Sequence, residues 1–151
     1  MSLGIVILNW NGKTLIEKFL PSVINNTPNI HNIYFIDNGS NDGSVEFIKT
    51  NFKRIKIIAL DKNYGYAKAY NIGLKNIDDD IVCLLNNDVE VTRGWTKGIL
   101  RQFNNEPLTA VIQPKLRDYY NKPYFDYAGA AGGFLDKFGY PYCNGRIYNK
   151  I

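Results

Sequence analysis

Two hydrophobic periods alternate along this chain. Short, nearly unbroken apolar runs recur at 3–9 (LGIVILN), 32–37 (NIYFID), 55–60 (IKIIAL), 81–85 (IVCLL) and 109–115 (TAVIQPK). Runs of this length, bounded by polar residues, predict buried strands. Between them lie stretches with helical spacing: 14–26, where Leu15, Phe19 and Val23 share a face, then 43–52, 66–77 and 94–105. Pro21 predicts a kink in the first helix, and Ser40 or Asp42 is available to cap the second. Strands alternating with helices in this way predict an α/β fold, a mostly parallel twisted sheet with helices on both faces.

In such sheets ligands bind beyond the carboxyl ends of the strands. The residues there are NWNG (9–12), DNGSNDGS (37–44), DKNYGYA (61–67) and NNDVE (86–90). All four are rich in Asn, Asp and Gly, which suits a polar ligand and equally suits tight turns. The opposite strand ends, NNTPNIHN and KNIDDD, are polar too, so composition leaves both readings open. Asp37 and Asn38 offer a carboxylate and an amide that match a ribose hydroxyl and a pyrimidine edge, or they form an Asx-turn onto Gly39. Asp88 ends the fourth strand beside Asn86 and Asn87. One carboxylate holds Mg²⁺ or Mn²⁺ when a diphosphate supplies further oxygens; the alternative is a polar turn. Glu90 falls on the same side as Asp88 if the chain stays extended.

Composition narrows the classes. The 151 residues, 45% hydrophobic and 21% charged, suit one globular domain. No apolar run approaches the length of a membrane span, and the first residues lack the basic start of a signal peptide. A net charge of +4 favours anionic partners, yet no basic block marks a nucleic-acid face. Cys83 and Cys143 form neither a zinc pattern nor a disulfide framework; Cys83 reads as an inert buried thiol. His31 is the only histidine, which excludes a multi-histidine metal site, and its polar loop gives it no catalytic context. The acidic run 78–80 reads as a solvated turn. The AGAAGG stretch (128–133) either brings backbone amides to a ligand or is a plain loop. No GxGxxG, GxxxxGK[ST] or GxSxG occurs, which removes dinucleotide, P-loop and serine-hydrolase signatures.

Four loops in this order, VILNWNG, IDNGSNDGS, DKNYGYAKAYNIGL and LLNNDVEV, resemble the nucleotide-binding half of family 2 glycosyltransferases, which have the Rossmann-like GT-A fold. The resemblance is closest to rhamnosyltransferase-like members and spans about residues 3–115. It implies a nucleotide-sugar-binding domain over 1–115, followed by an irregular Gly/Tyr-rich segment, 116–151, that begins the acceptor side. It implies that Asn9, Trp10, Asn11, Asp37, Asn38, Asn63, Gly65, Asn71, Asn86 and Asn87 line the nucleotide, and that Asp88 binds the metal.

Two departures from the family pattern stand out. Asn86 replaces the first aspartate of its DxD motif, and Tyr70 stands where many members carry arginine, with Lys68 a substitute for the lost charge. The implied reaction is metal-dependent, inverting transfer from a UDP- or dTDP-linked sugar to a saccharide or lipid-linked acceptor, in cell-surface polysaccharide synthesis. The family's carboxylate base lies in an acidic motif past the glycine-rich segment. Asp118, Asp126 and Asp136 are not in that context, so the base is expected beyond Ile151 in a longer enzyme. The expected location is the cytoplasm at the inner membrane face, with peripheral association and no nucleic-acid partner. The alternatives are a nucleotide-sugar-binding module without catalysis and a sugar-phosphate nucleotidyltransferase; NWNGKT is too poor in glycine and basic residues for the latter.

Overall fold

The computed structural model describes residues 1–127 and 131–144. Two compact units emerge, Met1–Leu100 and Arg101–Ile151. The first contains β1 (Leu3–Asn9), α1 (Lys13–Asn26), β2 (Asn32–Asp37), α2 (Ser44–Asn51), β3 (Lys56–Ala59), α3 (Tyr66–Gly73) and β4 (Ile81–Asn86). A single 3₁₀ turn, Leu74–Asn76, follows α3, and α4 (Trp95–Asn105) crosses the boundary between units.

The four strands form one parallel sheet in the order β3-β2-β1-β4. The order reverses between β1 and β4, the place where open α/β sheets offer a crevice. The apolar runs of the central strands β1 and β2 follow from burial on two faces; the edge strands are less covered, with Val82 and Leu84 of β4 exposed. Val6 packs with Tyr34, Ile36 and Tyr70 on the α3 side. Ile7, one residue on, faces Ile16, Phe19, Leu20 and Val23 of α1. Phe35, Ile5, Ile33 and Ile36 are at most 1% exposed, and each such side chain contributes about 1.5–3 kcal/mol by leaving water.

α1 continues through Pro21 as one helix. Ser22 ties the far part of α1 to the chain after β4: its hydroxyl donates to Phe19 O and accepts from Val91 N, while Asn26 Nδ2 donates to Val91 O. The expected cap of α2 takes a different form. Gly43 is the N-cap residue, at φ 82°, and the carboxylate of Asp42 accepts from Ser44 N, from the Ser44 hydroxyl and, across the loops, from Lys13 N at 2.8 Å. One side chain thus caps both α1 and α2.

Burial alone would raise the Asp42 carboxyl, but the bonds from Ser44 and Lys13 outweigh it and hold the group below the usual range. A depressed carboxyl stabilises above its unfolded pKa and loses that contribution as pH falls through the folded value. Asp42→Ala is therefore expected to cost about 1–2 kcal/mol at neutral pH. The deficit should shrink in strong acid, as read from urea unfolding at a series of pH values.

The expected strand at 109–115 does not form among the described residues. Leu108 and Val111 are 99% and 86% exposed, so no face of this run is buried, and Pro114 lacks a ladder donor. The second unit instead contains an antiparallel pair, β5 (Gly133–Leu135) with β6 (Pro141–Cys143). Within AGAAGG, residues 128–130 lie outside the described residues, as do 145–151.

In the acidic run Asp78 and Asp80 are exposed, as a solvated turn requires, while Asp79 is half-buried. Asp79 accepts from Asn32 Nδ2 and from Tyr34 Oη at 2.8 Å, and Asp80 accepts from Ser2 N. These carboxylates gather donors at the start of β1 and β2. Burial and the Asp79 bond push the Tyr34 phenol up to about 12.

Candidate functional site

Each strand of the sheet ends at the same level, because the parallel register pairs Asn9 with Asp37 and Leu8 with Asn86. Polar residues that follow an apolar run on neighbouring strands are thereby brought side by side. Beyond these ends opens a cavity of about 460 Å³, lined by Leu8, Trp10, Asn38, Asn63, Gly65, Tyr66, Asn86, Asn87 and Asp88. That is a size suited to a small organic ligand.

Seven of the expected residues meet at this cavity: Trp10, Asn38, Asn63, Gly65, Asn86, Asn87 and Asp88. Asn9 and Asp37 do not line it. Both are buried, 1% and 2% exposed, and they bond to each other, Asn9 Nδ2 donating to Asp37 Oδ1 at 3.2 Å. Asn9 also donates to Ser40 Oγ and accepts from Asn87 Nδ2 at 3.0 Å, while Asp37 Oδ2 accepts from Ser40 N. A polar chain therefore runs beneath the cavity from β4 through β1 to β2. Gly12 lies against this chain, where an added Cβ would come within 2.5 Å of Asn9 Oδ1. Asn11, at φ 48°, joins the first two loops: its amide donates to Ser40 Oγ and its Oδ1 accepts from Asn41 N. Asn71 is exposed on α3 and does not line the cavity.

Asn38 is 3% exposed and organises the third loop. Its Nδ2 donates to Asn63 Oδ1 at 2.9 Å, and its Oδ1 accepts from Tyr64 N at 2.9 Å. Lys62 and Lys68 flank the Tyr64 ring at 5.3 and 4.9 Å. Tyr70, at the position expected to have lost an arginine, is buried; burial and the adjacent Tyr66 raise its phenol.

After β4 the chain turns at Asn87 and Asp88, so it is not extended toward Glu90, and Glu90 does not line the cavity. Among the described residues no cluster of three or more His, Cys, Asp or Glu side chains could hold a metal ion. Asp88 is exposed and, among the described residues, is the one carboxylate lining the cavity. A lone carboxylate with neutral amides fits a divalent ion that arrives with a diphosphate and does not fit a resident, fully protein-ligated ion.

Elsewhere, Asp118 Oδ1 accepts from Tyr120 N and Asn121 N, and Asp136 Oδ1 accepts from Phe138 N and Tyr140 N. Both carboxylates close local turns. His31 is buried at the opposite end of the sheet, its imidazole held below the ordinary range by burial and then by Arg54. Burial pushes the Cys83 thiol up to about 11, which makes it a poor nucleophile.

Sequence reasoning missed Tyr66. It is 61% exposed on the first turn of α3 and lines the cavity, with its hydroxyl donating to Asn86 Oδ1 at 3.2 Å. The available signal was its spacing from Tyr70, four residues on, which puts the two rings on one helix face.

The model of the family described as "Glycosyl transferase family 2" matches residues 4–148. The chain belongs to this family. Among its relatives is the human protein named "Probable polypeptide N-acetylgalactosaminyltransferase 8", 29% identical over 125 residues, which cover 75% of this chain and 20% of that protein. The solved structure of TarS from S. aureus in complex with UDP-GlcNAc matches 71% of this chain and 32% of its own, with a TM-score of 0.64 and 18% identity. A mannosyltransferase from Pyrobaculum calidifontis, in complex with GDP-Man and Mn²⁺, matches 76% of this chain and 33% of its own, with a TM-score of 0.59 and 17% identity. These likenesses show the GT-A type of α/β fold. The chain spans only a fifth of the curated relative and about a third of each solved neighbour. No described helix is long and apolar enough to cross a membrane.

Proposed function

We propose that the cavity binds a pyrimidine nucleoside diphosphate sugar, UDP- or dTDP-linked, together with Mg²⁺ or Mn²⁺, as the donor half of an inverting glycosyltransferase. One observation carries this reading: an exposed indole, Trp10, and an exposed carboxylate, Asp88, line the same cavity, with amides of Asn38, Asn63, Asn86 and Asn87 among its lining residues. An indole gives a base a stacking face. Amides match the donors and acceptors of a pyrimidine and a ribose. The carboxylate binds the ion that, when present, offsets charge developing on a departing diphosphate.

Trp10, Asn38, Asn63 and Gly65 make the base and ribose side of this site, and Asn86 to Asp88 the diphosphate side. Asn9, Asn11 and Asp37 support it from below. The acceptor is a saccharide or a lipid-linked saccharide, in cell-surface polysaccharide synthesis of the rhamnosyltransferase-like kind. An inverting transfer needs a base for the acceptor hydroxyl. The resemblance implies that this base lies in an acidic motif past the glycine-rich segment, a context that Asp118, Asp126 and Asp136 do not share; Asp118 and Asp136 close local turns.

The ion and the nucleotide are expected to bind together. Calorimetric titration of Mn²⁺ should show weak binding alone and roughly 100-fold tighter binding with UDP or dTDP present, since each ligand completes the other's site. ADP and GDP should compete poorly. Equal Mn²⁺ affinity with and without nucleotide would overturn the metal assignment, and equal competition by purine nucleotides would overturn the pyrimidine assignment.

A further inference from the structure

The two positions that set this chain apart from the family pattern, Tyr70 and Asn86, are joined through one residue. The Tyr66 ring meets the Tyr70 ring edge-on, with centroids 5.0 Å apart and planes at 74°. Tyr70 is 3% exposed, packs with Val6, Tyr34 and Ile36 of the sheet, and reaches Leu85 O with its hydroxyl at 3.5 Å. Edge-to-face contact with an immobile ring restricts Tyr66, whose own ring is largely open to solvent. The Tyr66 hydroxyl then donates to Asn86 Oδ1 at 3.2 Å. The sequence of contacts runs from the core, through two phenols, to the first position of the metal motif.

We propose that Tyr66 is a positioning residue of the donor site, holding Asn86 by its carbonyl oxygen so that the amide nitrogen is the end available to a ligand oxygen. This rests on the reading of the cavity as a donor site. An aspartate at position 86 could only accept hydrogen bonds or bind a cation. Asn86 with its oxygen already engaged acts the other way, as a hydrogen-bond donor to a phosphate or sugar oxygen. The division of labour follows: Asp88 takes the cation and Asn86 takes the anion.

The test uses the variants Tyr66→Phe, Asn86→Ala and the double variant. Tyr66→Phe removes one oxygen and keeps the ring contact. UDP and dTDP are titrated, each with Mn²⁺. Each single variant is expected to weaken nucleotide binding roughly 5- to 10-fold, as for loss of a hydrogen bond. The double variant should be no weaker than Asn86→Ala, because Tyr66 acts only through Asn86. In the free protein, the Asn86 side-chain amide signals in a ¹⁵N–¹H spectrum should move in Tyr66→Phe, a readout that a purely packing role of the ring leaves in place. Wild-type affinity in Tyr66→Phe, or penalties that multiply in the double variant, would overturn the inference alone. A wild-type chain that binds neither nucleotide would overturn the donor-site reading and this inference with it.

Discussion

Asp88→Ala is expected to abolish the effect of Mn²⁺ on nucleotide binding. The wild-type chain should bind UDP or dTDP about 100-fold more tightly with Mn²⁺ than without, a difference of about 3 kcal/mol; the variant should bind equally in both. Asp88 is the one carboxylate at the cavity among the described residues, and its amide neighbours carry no charge to compensate. Exposure at a turn makes the substitution mild for the fold, so the melting temperature should stay close to wild type. Retained Mn²⁺ dependence in a folded variant would assign the ion to another group, with Glu90 the first to replace.

The second large effect is structural and reaches the site indirectly. Gly39 has φ +74°, and a Cβ built there would lie 2.5 Å from Lys62 Cα and 2.6 Å from its carbonyl carbon. Gly39→Ala meets two penalties at once, a left-handed backbone and a clash with main chain that cannot rotate away. Together they amount to roughly 3 kcal/mol or more, which predicts a melting temperature lower by about 10 °C. The clash falls on the loop that Asn38 holds through Asn63 and Tyr64. Nucleotide binding should therefore weaken even at temperatures where the variant is folded. An unchanged melting temperature would mean that the two loops part freely, and that Asn38 does not fix the third loop.

The central strands β1 and β2 were legible because each is covered on both faces, and a continuous apolar run such as IVIL needs no partner to be recognised; β3 and β4 carry similar runs although β3 is only half-buried and Val82 and Leu84 of β4 are exposed. The run 109–115 looks the same in composition, but a strand requires a neighbour for its amides and a cover for its side chains, and neither is written locally. The strand-end residues were legible as a group, since a parallel register brings all carboxyl ends to one level. What each one does there was not. Asn9 and Asp37 read like ligand partners from their type, yet two adjacent buried polar side chains satisfy each other first. Tyr66 read as an ordinary helix residue, and Tyr70 only as the place of a lost arginine. Their link to Asn86 depends on how closely α3 lies over β1 and β2, a distance set by packing rather than by spacing along the chain.

The polar chain from Asn87 through Asn9 to Asp37 and Ser40 divides the site into two layers with different freedom to change. The lower layer is shared by three strands, so an alteration at Asn9 or Asp37 strands a buried partner on a neighbouring strand and is felt as instability before it is felt as altered selectivity. The upper layer, Trp10, Tyr66, Asn86 and Asp88, is exposed at the cavity, so exchanges there are mild for the fold, with Tyr66 and Asn86 to be varied as a pair. If the cavity takes the proposed donor, drift toward another ligand is therefore open in the upper layer and closed in the lower. A library aimed at new sugar nucleotides should randomise Trp10, Tyr66 and Asn86 while leaving Asn9, Asp37 and Ser40 as they stand.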